Sequence, residues 1–149
     1  MFKIHTILCP FDFSDASRKA VRYAHEFAVT MRAQIFLLNV VDIPIESILN
    51  NVQLDEDLEK SALENLDVVK NELLSEGLMV ESAVKIGDPA EVIIDQAAKL
   101  DVNLIIMGSH GKKGLSRLIM GGVAEMVLRK ADCPVLIVKK HEKEFIDEQ

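Results

Sequence analysis

The chain has 149 residues, of which 49% are hydrophobic, and its formal net charge at pH 7 is −7. This length and composition predict one globular domain with a sizeable core. The acidic balance argues against general nucleic-acid binding, which needs a basic surface. Because the sequence has neither a membrane-length apolar run nor a signal-like start, we expect a cytoplasmic protein without nucleic-acid or membrane partners.

Strand and helix patterns alternate from the first residues onward. Ile4 to Cys9 is predicted to be a strand, and the chain then turns at Pro10 and Asp12. Ser14 is the predicted N-cap of a helix whose apolar residues recur every three to four positions. The almost wholly apolar run from Gln34 to Val41 predicts a strand that is covered on both faces.

The middle of the chain continues this alternation. Residues 43–52 show no clear period and are predicted to form a loop. A long helix is predicted from Asp55 to about Glu76, with one charged, solvated side and one apolar side formed by Leu58, Ala62, Leu66, Val69 and Leu73. Leu78 to Ile86 alternates apolar and polar residues, which indicates an edge strand. Asp88 is the predicted N-cap of the next helix.

A glycine-rich loop separates the next strand, Val102 to Met107, from a helix that ends near Lys130. Its glycines are Gly108, Gly111, Gly114 and Gly121. Bare backbone N–H groups and the positive end of the following helix would favour a phosphate there. Lys112, Lys113 and Arg117 add positive charge to an otherwise acidic chain. The alternative interpretation is a long turn that uses glycine only to reach positive φ.

The chain ends with a strand at Val135 to Lys139 and a charged segment from His141 that we expect to be frayed. We assign residues 1–141 to one domain and 142–149 to a tail. Strands and helices that alternate in this way predict a parallel sheet with helices on both faces. Cys9 and Cys133 fall at opposite strand ends, on the order of 15 Å apart, so they are predicted to be small buried residues without a disulfide.

The glycine loop matches neither a Walker loop nor a dinucleotide fingerprint. Its spacing is Gly-x-x-Gly, nine residues and Gly121, with Gly-Ser-His-Gly at its head and Cys-Pro-Val-Leu-Ile-Val, residues 133–138, as the following strand. Together with residues 7–14 and 37–42, this pattern closely resembles the universal stress protein family over about residues 3–139. The resemblance implies an α/β fold with an open five-stranded parallel sheet, order 3-2-1-4-5, that is Rossmann-like and adenine nucleotide alpha hydrolase-like. Ligands of such sheets bind where the strand order reverses, here between strands 1 and 4.

The resemblance implies an adenine nucleotide, ATP or AMP, and leaves open whether Mg²⁺ accompanies it. The predicted nucleotide-binding residues are Pro10, Asp12, Val40, Met107, Gly108, Ser109, His110, Gly111, Lys112, Lys113, Gly121, Gly122 and Val123. Gly122 departs from the family pattern, which has Ser or Thr there, so we expect weakened ATP binding and effective competition from AMP or ADP. Capping of the nearby turn is the alternative role of Asp12, and core packing is that of Val40.

The resemblance also implies a homodimer in which the last strands pair antiparallel through Val135, Leu136, Ile137 and Val138. An apolar edge strand needs such a cover. We interpret the chain as a nucleotide-binding stress-response module with an unknown protein partner. An interaction protein of the same fold that has lost nucleotide binding, and a slow ATPase, are the alternatives. We assign no catalytic residue and no metal ligand, because the sequence places no base or nucleophile beside His110 and has no metal-ligand spacing.

Overall fold

The strands form one parallel sheet in the computed structural model, which describes residues 3–43, 46, 52–110 and 120–146. They are β1 (Thr6–Pro10), β2 (Gln34–Val41), β3 (Val80–Ile86), β4 (Leu104–Gly108) and β5 (Val135–Val138). The helices among these residues are α1 (Asp15–Met31), α2 (Val52–Ser75), α3 (Pro89–Lys99) and α4 (Gly122–Lys130). The strand order is β3-β2-β1-β4-β5 and every neighbouring pair is parallel, which confirms the predicted topology.

Alternate residues of the central strands enter two separate cores. Ile7, Cys9 and Ile106 pack with α1 and α2 on one face of the sheet. Leu8 and Ile105 pack with α3 and α4 on the other face. Because successive side chains of a strand point to opposite faces, a sheet covered on both sides needs continuous apolar runs. This is why the central strands show no polar alternation in the sequence.

Two side-chain caps fix where helices begin at the carboxyl edge of the sheet. The amide of Ser17 donates to Oγ of Ser14 at 3.2 Å, and the amide of Glu91 donates to Oδ2 of Asp88 at 3.0 Å. Both N-caps were predicted, and caps of this kind contribute about 1 kcal/mol each. They place the first turns of α1 and α3 next to the ends of β1 and β3.

Three strands begin two positions later than predicted, at Thr6, Val80 and Leu104. The residues at which these strands were predicted to begin, Ile4, Leu78 and Val102, are apolar, but strand pairing starts only where the neighbouring strand provides a partner. The amides of His5 and Thr6, for example, donate to the side chain of Asn103 at 2.7 and 3.0 Å. The hydrophobic pattern of the sequence does not show at which residue strand pairing begins.

The apolar side of α2 is shorter than predicted. Leu66, Val69 and Leu73 are buried in the core, as expected, whereas Leu58 is 43% exposed and Ala62 is half-buried. Among the side chains described for α2, those that join the core belong to its second half, so the periodicity of the first half does not mark a buried face. No helix among the described residues is long and apolar enough to cross a membrane. Most of the predicted loop at 43–52 lies outside the described residues.

The two cysteines have different environments. Cys9 is fully buried in β1, and burial raises the pKa of its thiol to about 12. Cys133 is only half-buried, and partial burial is the main cause that raises its pKa. Both are free thiols. The expectation of burial therefore holds for Cys9 and is wrong for Cys133, which lies in the open turn between α4 and β5.

Residues 141–146 of the segment that was expected to fray pack on the protein, and residues 147–149 lie outside the described residues. We call residues 139–146 the C-terminal strap. Its Glu144 pairs with Lys19 of α1 at 3.0 Å, and its Phe145 ring meets that of Tyr23 edge to face with centroids 4.8 Å apart. Ile146 packs against the core on the α1 side of the sheet. In sequence, this run of charged residues resembles a solvated tail. In the structure, Lys19 of α1 supplies the positive charge that pairs with Glu144.

Candidate functional site

A cavity of about 330 Å³ opens at the carboxyl edge of the sheet, where the strand order reverses between β1 and β4. It is lined by Pro10, Phe11, Asp12, Ser17, Leu38, Val40, Asp42, Pro89, Ile93, Met107, Gly108, Ser109, His110, Gly121, Gly122, Val123 and Ala124. Every residue predicted for the site is among them except Gly111, Lys112 and Lys113, which lie outside the described residues, as does Arg117. The chain thus brings distant segments together at the predicted place.

The first turn of α4 forms one end of the cavity. Its N-cap, Gly121, is extended and has no side chain to cap the helix amides. Gly122 and Val123 follow, and both are exposed. The first amides of a helix lack partners within the helix and carry its positive dipole end. This end of the cavity is therefore suited to an anion.

Gly122 differs from the other cavity glycines because it has space around it. Among the described residues, no atom would lie within 4 Å of a Cβ atom built on Gly122. A Cβ on Gly121 would lie 3.0 Å from the carbonyl oxygen of Ser109, so a side chain there would push against the backbone. A serine or threonine hydroxyl at position 122 would therefore not clash with the part of the chain that the structure describes.

Gly108 is required by packing. A Cβ at this position would lie 2.8 Å from Cβ of Ala16 and 3.0 Å from its carbonyl carbon. The end of β4 consequently contacts the first turn of α1 directly. Positive φ, the reason for glycine in the alternative interpretation of this loop, does not apply to Gly108, because the positive-φ glycines of the described residues are Gly77 and Gly87.

Ser109 connects three parts of the site. Its amide donates to the carbonyl oxygen of Val138 at 2.9 Å, and its own carbonyl accepts from the amide of Gly121 at 2.8 Å. Its hydroxyl lies 2.9 Å from Nδ1 of His110, with donor and acceptor roles set by the imidazole tautomer. Ser109 is buried, so these contacts hold the end of β4, the end of β5 and the start of α4 together.

Asp12 serves the turn between β1 and α1 as well as the cavity wall. Its Oδ1 accepts from the amide of Ser14 at 3.0 Å, and its own amide donates to Oγ of Ser17 at 3.4 Å. The next residue, Phe13, has a φ of 66°, a left-handed conformation that is uncommon for a bulky residue. The capping role weighed from the sequence is thus present, and the same carboxylate also lines the cavity.

The neighbouring wall is held by a buried side-chain amide. Nδ2 of Asn39 donates to the carbonyl oxygen of Phe11 at 2.8 Å, and the amide of Phe11 donates to the carbonyl of Leu38 at 2.8 Å. These bonds attach the end of β1 to the end of β2. Val40 lies one residue beyond Asn39, so its position against the cavity is set by the same two strands.

Several lining residues were not predicted. Asp42 follows β2, Pro89 begins α3, and Ser17 lies in the first turn of α1. The sequence contained a usable signal, because every connection from a strand to the next helix reaches the same edge of a parallel sheet. Applied to β2 and β3 as well as to β1 and β4, this rule indicates Asp42 and Pro89.

The lining has two chemically different parts. Leu38, Val40, Ile93 and Met107 provide apolar surface beside the strand ends, and α4 provides backbone amides. Asp12 and Asp42 add carboxylates to the wall. Within the described ranges, no three His, Cys, Asp or Glu side chains are grouped as metal ligands. The arrangement suits a ligand with a flat apolar part and an anionic part.

Comparison with known proteins identifies the family. The model of the universal stress protein family matches residues 3–139. A universal stress protein of Methanocaldococcus jannaschii is 36% identical over 144 residues, which cover 93% of this chain and 84% of that protein. The solved structure of a second universal stress protein of this organism has a TM-score of 0.87 and 33% identity, and the match covers 95% of this chain and all of that one.

A further solved structure is that of the universal stress protein from Archaeoglobus fulgidus in complex with dAMP. It has a TM-score of 0.65 and 23% identity, and the match covers 93% of this chain and 100% of that chain. At this identity the likeness concerns the fold. The family match over nearly the whole chain, together with the predicted and observed strand order, gives the assignment: the chain belongs to the universal stress protein family.

Proposed function

We propose that this protein is an adenine-nucleotide-binding module of the stress response that acts as a homodimer in the cytoplasm. The observation that carries the proposal is the cavity at the carboxyl ends of β1, β2 and β4, which ends on the uncapped first turn of α4. Bound nucleotide would change the surface that an unknown protein partner contacts. The proposal assigns the protein a binding function and no catalytic one.

The phosphate would lie at the start of α4. Helix amides without a capping side chain, together with the dipole, favour a negatively charged group by up to about 1 kcal/mol at an exposed site. Lys112 and Lys113, outside the described residues, follow Gly111 in the same loop and would add positive charge. Gly121 and Gly122 allow the close approach that such a contact needs.

The adenosine would lie against Val40, Met107 and the strand ends. These side chains offer the apolar surface that a base covers, and Asp12 offers an acceptor for a ribose hydroxyl. The Archaeoglobus fulgidus protein in complex with dAMP supports an adenine nucleotide as a ligand for this fold. A volume of about 330 Å³ is at the lower end of the range for small-molecule pockets.

The choice between nucleotides depends on position 122. A hydroxyl there would donate to a terminal phosphate, and without it we expect AMP or ADP to compete well with ATP. Asp12 and Asp42 are the carboxylates of the described cavity wall, and they do not form a group of three metal ligands. Mg²⁺ would therefore bind with the phosphates and not through a site that the described residues build alone.

The homodimer would form through β5. This strand is at one edge of the sheet, and its Val135, Leu136 and Ile137 are only partly buried in the single chain. Antiparallel pairing with the same strand of a second copy would satisfy the open edge and cover these side chains. Sedimentation over a range of concentrations tests this part, and a monomer mass at every concentration would contradict it.

The nucleotide proposal is tested on protein purified without added ligand. We expect mass spectrometry of the molecules released on denaturation to detect an adenine nucleotide, or calorimetric titration with AMP and with ATP plus Mg²⁺ to give micromolar affinity. Protein that releases no nucleotide and binds neither would contradict the proposal. Its function would then have to be sought at the dimer surface.

A second candidate function is protein interaction without nucleotide. The absence of a side chain at Gly122, where the family pattern has Ser or Thr, favours it, as do the exposed Met120 just before α4 and the exposed Met126 and Leu128 within it. A slow ATPase is the enzymatic alternative. Steady ATP turnover that is abolished in Asp12→Ala would support the ATPase, because phosphoryl transfer needs a positioned carboxylate.

A further inference from the structure

Four polar residues are buried in the described part of the chain, and three of the four belong to the candidate site or its walls. They are Ser17, Lys19, Asn39 and Ser109. Ser17 and Ser109 line the cavity, and Asn39 holds the end of β1 to β2. Lys19 does not line the cavity, yet it is the charged member of the set and is only 8% exposed. A buried ammonium group is costly unless it is paired, so its partners indicate what it holds.

The partners of Lys19 all come from the C-terminal strap. Its Nζ donates to the carbonyl oxygens of Lys139 and Lys140 at 3.0 and 3.4 Å. It also lies 3.0 Å from a carboxylate oxygen of Glu144 and 4.0 Å from one of Glu142. An ammonium group has three protons to donate, and this set supplies an acceptor for each. Lys19 therefore fastens α1 to the chain that directly follows β5.

The fastened segment is one residue away from the candidate site. Val138, the last residue of β5, precedes Lys139, and its carbonyl oxygen accepts the amide of Ser109 at 2.9 Å. Ser109 in turn accepts the amide of Gly121, the N-cap of α4. An unbroken series of contacts thus leads from Lys19 through the end of β5 to the helix start where we place the phosphate.

Lys19 also reaches the site along its own helix. The first turn of α1 contacts the end of β4 directly. Ala16 lies so close to Gly108 that a Cβ atom would not fit there. Lys140 adds a second link to this turn, since its Nζ lies 3.7 Å from a carboxylate oxygen of Asp15. The end of β4 is therefore held between α1 on one side and β5 on the other, and Lys19 joins these two elements.

We propose that Lys19 is a positioning residue for the candidate site: by fixing the carbonyl end of β5 against α1, it sets the position of Ser109 and hence of the Gly121 cap. Its effect on Ser109 follows from the contacts of this chain. Its effect on ligand affinity rests on the proposed function. The ammonium group touches no part of the cavity, so it acts only through the backbone that it holds.

Lys19→Met tests the proposal because it keeps an unbranched side chain and removes all three donors. We expect the amide hydrogen of Ser109 to exchange with deuterium about tenfold faster in the ligand-free variant, while the amide of Ile35 in β2 changes little. The amide of Ile35 donates to the carbonyl oxygen of Met79, which precedes β3 at the sheet edge opposite β5. Its exchange rate therefore reports the general stability of the protein. In titration with AMP, we expect affinity to fall about fivefold.

Three further variants separate positioning from stability. Glu144→Gln removes the shorter ion pair of Lys19 with the strap but leaves both carbonyl contacts, so Ser109 exchange should stay close to that of the wild type. Lys99→Met removes an exposed lysine that pairs with Asp95 at 2.9 Å, and it controls for loss of a positive charge. Lys19→Gln is the milder change should Lys19→Met fail to fold, and it should raise Ser109 exchange by a smaller factor.

Equal acceleration at Ser109 and Ile35 would overturn the proposal, since it would show a purely global loss of stability. Unchanged Ser109 exchange in both Lys19 variants would overturn it as well. If wild-type protein does not bind AMP, the proposed function fails, but the exchange measurement still decides the role of Lys19. If Ser109 exchange rises while AMP affinity stays constant, Lys19 does position Ser109. The claim that Lys19 affects ligand affinity is then refuted.

Discussion

The amide of Gly121 donates a hydrogen bond of 2.8 Å to the carbonyl oxygen of Ser109. This bond joins the end of β4 to the N-cap of α4, so the residues on either side of the glycine loop are hydrogen-bonded to each other. Ser109 is fixed in turn by β5. The end of the cavity where we propose that phosphate binds is therefore held by backbone contacts, so side chains there can change without altering these contacts.

Gly122→Ser should raise the affinity for ATP about tenfold, because a new hydroxyl would donate a charge-assisted hydrogen bond to the terminal phosphate. The described residues leave space for it, since none of their atoms would lie within 4 Å of a Cβ at this position. AMP affinity should change less than ATP affinity. Calorimetric titration measures both, and Gly122→Ala controls for the added Cβ. No gain in ATP affinity would contradict our account of Gly122.

Gly108→Ala should lower the free energy of unfolding by about 1–3 kcal/mol, because the added methyl group would overlap the first turn of α1. The nearest atom, Cβ of Ala16, would lie only 2.8 Å away. Urea titration measures the loss. Gly122→Ala is the matched control, because it adds the same methyl group where no atom of the described residues lies within 4 Å. Equal stability of the two variants would show that the contact with α1 can relax.

Asp12→Ala should destabilise the protein by about 1 kcal/mol, since the amide of Ser14 would lose its acceptor. Asp12→Asn keeps an oxygen at that position and should retain most of this stability. Both variants remove the carboxylate from the cavity, so a nucleotide contact through its charge would weaken AMP binding in both. Thermal unfolding and AMP titration on the pair separate the two roles. Normal AMP binding in both variants would show that Asp12 stabilises the turn and does not contact the nucleotide through its charge.

The strap should make stability depend on pH through Glu144. The hydrogen bond from Lys19, with the charges of Lys19 and Arg22, holds the pKa of this carboxyl below its ordinary value of 4.5. A carboxylate whose pKa is lower in the folded state stabilises the fold above its ordinary pKa, and this contribution is lost as the pH falls through the lowered value. Glu144→Gln should therefore be less stable than wild type at neutral pH and equally stable in acid. Urea midpoints at both pH values check this.

The exposed Glu59 of α2 offers a control for that measurement. Glu59→Gln should change the urea midpoint little at neutral pH. A difference between Glu144→Gln and wild type that stays the same in acid would contradict the ion-pair account. It would indicate that Glu144 acts by packing and not by charge.

The thiols should differ in reactivity. Cys133 is half-buried and Cys9 is fully buried with a pKa raised to about 12, so iodoacetamide should label Cys133 first in the native protein. Labelling of Cys9 should require unfolding. Mass spectrometry after timed labelling distinguishes the two, and Cys133→Ser should then take up almost no label. Rapid labelling of Cys9 in native protein would contradict the buried position of β1.

The sequence by itself determined the sheet and the place of the site. Apolar runs at residues 34–41 and 102–107 have the composition of strands buried on both faces, and Ser14 and Asp88 carry their helix caps in the local sequence. Because all strand-to-helix turns of a parallel sheet share one edge, Asp12 and the glycine loop had to lie near each other. Strand order came from the family pattern and not from periodicity.

Tertiary structure alone decided which glycines need to be glycine and what the charged terminal segment does. The reason for Gly108 is the position of Ala16, which lies far away in sequence, and the reason for the order of the strap is the buried charge of Lys19. Leu58 shows the converse case, since its helical spacing is correct but its side chain is 43% exposed. Contacts between distant segments depend on how elements pack, and local patterns of residue type do not record them.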